Sequence, residues 1–275
     1  MLRRLSISKP KHLTRDDWII IYQRRNEKSA HEVHQTFGKA CGMLKMRVEN
    51  PIWIEMENER SRDELKKHLL NYMMARRESP FRHPIMCVAI LSQESNYPMF
   101  KEVFQEFSIC SQVVTRRNAE KFNLSKATNI LKQINSKIGG DLFYMKFPKT
   151  MENMRTMLIG IDVCHAGPQS IVGFAASTNK EMSQYYSEYL VQKKGQEIVG
   201  NGMKDGLKYA IDVFKRENKD MPTDFIIYRD GVGDAQRQQI LAKEVSQFKQ
   251  AITELYDPEQ PQPKITLVVV NKRIN

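Results

Sequence analysis

The chain of 275 residues has room for one large or two ordinary domains, and its 41% hydrophobic content supports real cores. No stretch approaches the roughly 18 uninterrupted apolar residues of a membrane-spanning helix, and no membrane partner is expected. The formal net charge of +11 points to a polyanionic partner, nucleic acid ahead of an anionic membrane surface, because no long amphipathic basic helix stands out.

Residues 1–80 read as a connecting, linker-like region. Within it, WIIIY (Trp18–Tyr22) and IWIEM (Ile52–Met56) are expected as short strands. Between them Val33, Phe37 and Leu44 recur at roughly helical spacing, and Asp63–Arg77 predicts a second helix, ended by the Pro-punctuated stretch 75–84. The nearly all-apolar run Ile85–Leu91 predicts a strand buried on both faces, as in a parallel sheet. A short helix over Pro98–Phe107, an apolar strand holding Val113 and Val114, and a helix over 126–138 follow. Ser125 is the expected N-cap of that helix, and Gly139-Gly140 its stop. This alternation is the rhythm of a small α/β unit, assigned to residues 81–150.

From residue 151 the segments MLIGIDV, SIVGFAAS and SQYYSEYLVQ predict three successive strands. A helix over 203–218, a strand at FIIY, a long helix over 235–255 capped by Asp234, and a strand over Ile265–Val270 complete the order βββαβαβ. Two of these strands end in aspartate, Asp162 in MLIGIDVCH and Asp230 in DFIIYRDGVGD. A carboxylate closing a buried strand is costly unless a positive charge sits beside it. A lone aspartate after a strand is ordinarily a turn or cap residue. Two of them, on strands that can lie side by side, point instead to a shared cation and metal-dependent chemistry on a phosphate.

The cysteines Cys41, Cys87, Cys110 and Cys164 form no CxxC pair, so zinc is not expected. Reduced structural thiols favour the cytoplasm, the nucleus or both. The N-terminus, MLRRLSISKPKH, lacks the apolar core of a secretory signal. The basic pairs Arg24-Arg25, Arg76-Arg77, Arg116-Arg117 and Lys193-Lys194 suit a nucleic-acid backbone, although any one pair is ordinarily a solvated face.

Three antiparallel strands followed by alternating helix and strand is the order of the ribonuclease-H-like fold. At residue level, MLIGIDVCH, SIVGFAAST, VQKKGQEIV, IIYRDGVGDAQ and LVVVNKR resemble the PIWI domain of the Argonaute/Piwi family, Piwi branch. SQVVTRRN and INSKIGGDLF resemble the neighbouring MID domain, and WIIIYQRRN the linker before it. The resemblance implies an α/β chain with a linker over 1–80, a Rossmann-like MID domain over 81–150, and an incomplete ribonuclease-H-like PIWI domain over 151–275.

It also implies an RNA-guided endonuclease site with an Asp-Glu-Asp-His tetrad. Carried over by motif, its members are Asp162, Glu197 within GQEIV, and Asp230, with the two aspartates as ligands of Mg²⁺ (or Mn²⁺). The family's histidine lies past the second aspartate, and none follows His165 here, so the 275-residue chain is expected to be a fragment that does not cut alone. In the family's MID domain a Tyr-Lys-Gln-Lys set holds the 5′ phosphate of the guide. Here the matching residues are Tyr97, Lys101, Gln112 and Lys137. The implied partners are a small, piRNA-like guide RNA, complementary target RNA and silencing-factor proteins. The alternatives are a non-catalytic guide-binding module and an unguided ribonuclease-H-like nuclease.

Overall fold

The computed structural model describes residues 7–15, 17–76, 84–143, 155–165, 167–231 and 236–270. The chain divides into two compact units, Met1–Phe143 and Tyr144–Asn275.

The first unit is built on a parallel sheet of β1 (Trp18–Gln23), β2 (Ile52–Met56), β3 (Met86–Leu91) and β4 (Ser111–Thr115), in the order β2-β1-β3-β4. Every residue of β3 is buried, as the unbroken apolar run requires of a strand covered on both faces. Alternate side chains enter different cores. Trp18, Ile20, Val88 and Ile90 pack with Val33 and Phe37 of α1 (Glu27–Cys41) and with Leu131 and Ile134 of α5 (Leu124–Lys137). Ile19, Ile21, Cys87 and Ala89 pack with Leu65 and Leu69 of α2 (Arg62–Ala75) and with Phe100 and Phe104 of α3 (Tyr97–Glu106). A short α4 (Arg116–Ala119) follows β4.

This topology corrects the linker assigned to residues 1–80. β1 hydrogen-bonds to both β2 and β3, so residues 18–56 supply half of the sheet. The Trp18–Tyr22 run is apolar, and all five of its residues are buried in the sheet. The N-cap of α5 is also corrected. Asn123, in extended backbone, accepts the Lys126 N–H through Oδ1 at 3.0 Å, and Ser125 lies inside the first turn. Residues 77–83 and Asp234 lie outside the described residues.

The second unit carries β5 (Thr156–Cys164), β6 (Gln169–Ser177), β7 (Tyr185–Lys193), α6 (Met203–Asn218), β8 (Asp224–Asp230), α7 (Arg237–Gln239), a π-type stretch (Ile240–Val245), α8 (Ser246–Leu255) and β9 (Lys264–Val270). The sheet order is β7-β6-β5-β8-β9, with β5, β6 and β7 antiparallel and β5, β8 and β9 parallel. Met157, Ile159, Ile161, Phe174, Phe225 and Ile227 face α6 and α8, meeting Leu207, Phe214 and Phe248. Truncating a fully buried phenylalanine such as Phe214 costs about 3–5 kcal/mol. The sequence-derived order βββαβαβ is the observed one, and the long helix differs only in its π-type stretch.

Candidate functional site

In the first unit, three of the four proposed phosphate-site residues converge. Lys101, on α3, donates from Nζ to Ser111 Oγ at 2.7 Å. Lys137, at the end of α5, donates from Nζ to the Ser111 carbonyl and to Gln112 Oε1, both at 2.8 Å. Gln112 is buried and its own amide donates to the Val113 carbonyl. Burial, and then the neighbouring Lys101 charge, push the Lys137 amine below lysine's ordinary range. Among the described residues neither ammonium has an ion-pair partner. The site therefore holds two cations around a neutral serine, and an anion would relieve it. Tyr97 opens α3 one turn before Lys101 and is 47% exposed. Ser111, where both lysines meet, was missed in the sequence. A small polar residue opening a strand carries no signal of its own.

In the second unit, strand pairing sets the carboxylates. Ile161 pairs with Arg229 across parallel β5 and β8, so Asp162 and Asp230 are the next step on neighbouring strands. Both line an open concavity of about 470 Å³ with Gly160, Gly173 and Tyr228. Gly160 and Gly173 bring no side chain to that surface; a Cβ at 160 would point into open space and one at 173 would meet only the Asp162 carbonyl, at 3.9 Å. Asp162 Oδ1 accepts the Val163 N–H at 3.0 Å.

Glu197 is positioned by a polar network from four segments. Its Oε2 bonds His165 Nε2 at 2.9 Å, and its Oε1 accepts from Arg229 Nη1 at 3.1 Å. Its carbonyl accepts from Arg229 Nη2 at 2.6 Å. Ser170 Oγ accepts the Gly195 N–H at 2.9 Å and bonds His165 Nδ1 at 2.7 Å. Ser170 Oγ and Glu197 Oε2 thus hold the two ring nitrogens of His165 and fix the orientation of the imidazole. Gly195 adopts φ +74° in the turn before Glu197, which a Cβ would strain. Gly231, at φ +82°, follows Asp230, and a Cβ there would sit 3.5 Å from Glu197 Oε1.

Arg229 is fully buried and also pairs with Glu244 of the π-type stretch, Nε to Oε2 at 3.0 Å. Glu244 Oε1 accepts the Val199 N–H at 2.8 Å, and Gln247 bonds Met203 and the Val199 and Gly200 carbonyls. The loop bearing Glu197 is thus tied down on both sides. A buried arginine is stable here because two carboxylates and two carbonyls take its donors. His165, Arg229 and Glu244 escaped the sequence reading as positioning groups, although Arg229 immediately precedes Asp230 and His165 lies three residues after Asp162.

Asp162 and Asp230 offer a hard, all-oxygen donor set of the kind that suits Mg²⁺ or Mn²⁺. Among the described residues no group of three or more His, Cys, Asp or Glu is arranged to hold a metal. The pair fits a cation that keeps several waters, while Glu197 is turned to His165 and Arg229.

The Piwi domain profile matches residues 84–275, most of the chain. The chain belongs to the Piwi domain family. It is 32% identical to Piwi-like protein 1 of Gallus gallus over 266 residues, which is 94% of this chain and 29% of that protein. It is 32% identical to Protein argonaute-3 of Drosophila melanogaster over 273 residues, 96% of this chain and again 29% of the relative. This Piwi-family chain therefore spans under a third of the length of these relatives. Its fold is that of Argonaute MID-PIWI lobes. The N. crassa QDE-2 MID-PIWI structure superposes with a TM-score of 0.78 at 21% identity, covering 96% of this chain and 75% of that one. Drosophila Piwi superposes with a TM-score of 0.76 at 20% identity, covering 98% of this chain and 36% of that one. The parallel sheet followed by the mixed five-stranded sheet is accordingly the α/β fold of such a lobe, with a ribonuclease-H-like PIWI fold.

Proposed function

We propose that this chain grips the 5′ phosphate of a small guide RNA and serves RNA-guided silencing. The observation that carries the reading is the meeting of Lys101 and Lys137 at Ser111, beside Gln112. Two ammonium groups and a hydroxyl match the donors a terminal phosphate requires. Tyr97 supplies an exposed ring one helical turn away, on which the first base stacks. A solved Argonaute with the same fold, from Kluyveromyces polysporus, holds a guide RNA (TM-score 0.75). Complementary target RNA is then selected by base pairing to the guide.

In a protein of the relatives' full length, the second unit would support cleavage of that target. Asp162 and Asp230 would hold Mg²⁺ or Mn²⁺, which supplies charge stabilisation and a more acidic water. Glu197 acts as a hydrogen-bond acceptor that orients the attacking water, and His165 and Arg229 hold it ready. The arrangement of Glu197, already hydrogen-bonded, also accommodates a silencing role through binding alone, with partner proteins recruited to the guide. A piRNA-like guide and a cytoplasmic or nuclear site follow the Piwi branch and the reduced thiols.

RNAs of one sequence bearing a 5′ phosphate or a 5′ hydroxyl test the first part. The account expects at least about tenfold tighter binding of the phosphorylated form, one charge-assisted contact's worth. Equal affinities contradict it. For the second part, Mn²⁺ broadening of NMR signals around Asp162 should vanish in Asp162→Asn. In a protein carrying the remaining domains, Asp162→Ala should abolish guided cutting, and equal cutting would sink the catalytic reading.

A further inference from the structure

We propose that Glu59 is a positioning residue for the first nucleotide of the guide, acting by locking the turn that launches α3. The inference rests on the 5′-end reading of the first unit. Glu59 sits in the turn between β2 and α2 and is only 3% exposed. Its Oε2 accepts the Ser92 N–H at 2.9 Å. Its Oε1 accepts the Gln93 N–H at 3.1 Å and the Asn96 side-chain amide at 2.9 Å, with Arg25 Nη2 at 3.5 Å. Arg25 and Asn26 both donate to Ser92 Oγ, so the end of β1 joins the same knot.

The placement matters. In the order β2-β1-β3-β4 the winding direction reverses between β1 and β3, and parallel α/β sheets bind ligands beyond the carboxyl ends of strands at such a reversal. The turn over 92–96 leaves the carboxyl end of β3 there and runs directly into α3, whose first residue is Tyr97. A buried carboxylate is expensive, and packing alone would be served by an apolar side chain. What a carboxylate adds is capture of two successive backbone N–H groups, which fixes the turn's geometry. Glu59 therefore sets where α3 begins and where the Tyr97 ring stands. Lys101 shares α3 with Tyr97, but its Nζ is held on Ser111 at the start of β4 and Lys137 reaches the same point from α5, so the phosphate grip leans on the turn less than the ring at the first residue of α3 does. The turn fixes the stacking face, and the lysines fix the phosphate.

The test uses the full chain as wild type, Glu59→Gln and Glu59→Ala, titrated with a ribonucleoside 5′-monophosphate and with inorganic phosphate, followed by NMR. Glu59→Ala should weaken the nucleotide about tenfold and inorganic phosphate less than about twofold, with Glu59→Gln between, because its amide oxygen still accepts. Unchanged nucleotide affinity overturns the proposal. Equal losses for both ligands also overturn it, since they mark a residue that only holds the fold together. If Glu59→Ala does not fold, the same comparison on Glu59→Gln decides. Wild-type protein that binds the monophosphate no better than the nucleoside overturns the 5′-end reading itself, and the role of Glu59 with it.

Discussion

In the second unit a buried cation is fully answered: Arg229 meets Glu197 and Glu244 and two carbonyls, and the loop carrying Glu197 is held as a result. In the first unit two cations, Lys101 and Lys137, meet at Ser111 with no carboxylate beside them among the described residues. A closed charge network is architecture, and its removal is felt as instability. An open one is a binding site, and its removal is felt as lost ligand. The two units therefore separate two uses of charge, a buried cation that holds structure and a more accessible pair that is open to a ligand.

The sharpest break comes from Arg229→Met. It strands Glu244, which is 2% exposed, and should destabilise the second unit by about 3–5 kcal/mol in urea unfolding. An unfolding midpoint like that of wild type would contradict the closed-network account. The reciprocal change, Lys137→Met, removes one of two like charges. It should leave unfolding stability within about 1 kcal/mol yet weaken binding of 5′-phosphorylated RNA about ten- to hundredfold. A loss of stability equal to that of Arg229→Met would erase the distinction between the units.

Much of this was legible in the sequence. FIIY and MLIGIDV are apolar runs, and each runs into the aspartate that marks the site, so the strands and their carboxylates could be read together. The first unit was harder. β1 and β2 are short strands separated by a 15-residue helix, and pairing between parallel strands so far apart leaves no local pattern. They therefore read as a linker, although Trp18–Tyr22 is nearly fully buried. The polar groups that position the site were illegible for a related reason. Glu59, Ser111 and Glu244 look like ordinary surface residues until tertiary contacts bury them. Asn123 and Ser125 are both acceptable caps, and only backbone geometry selects the former.

Smaller effects sharpen the same contrast. Asn123→Ala should cost about 1 kcal/mol in thermal unfolding by removing the α5 cap, with Ser125→Ala costing clearly less. The reverse order would restore the sequence-based assignment. The smallest effect is a pH dependence. The Lys137 amine lies below lysine's usual 10.5 in the folded state, so the unfolded chain holds that proton more tightly. Stability relative to Lys137→Met should therefore rise as pH climbs through the window between the lowered value and 10.5. Phosphate affinity should fall across the same window as the amine loses its charge. A flat difference between the two proteins would show that Lys137 titrates as a free lysine.

The most direct measurement follows the lysine Nζ signals of the isotopically labelled chain while a ribonucleoside 5′-monophosphate is added, with the matching nucleoside as control. The account predicts that the Lys101 and Lys137 signals shift together with the monophosphate and stay still with the nucleoside. Shifts spread over surface lysines while these two remain unmoved would contradict it.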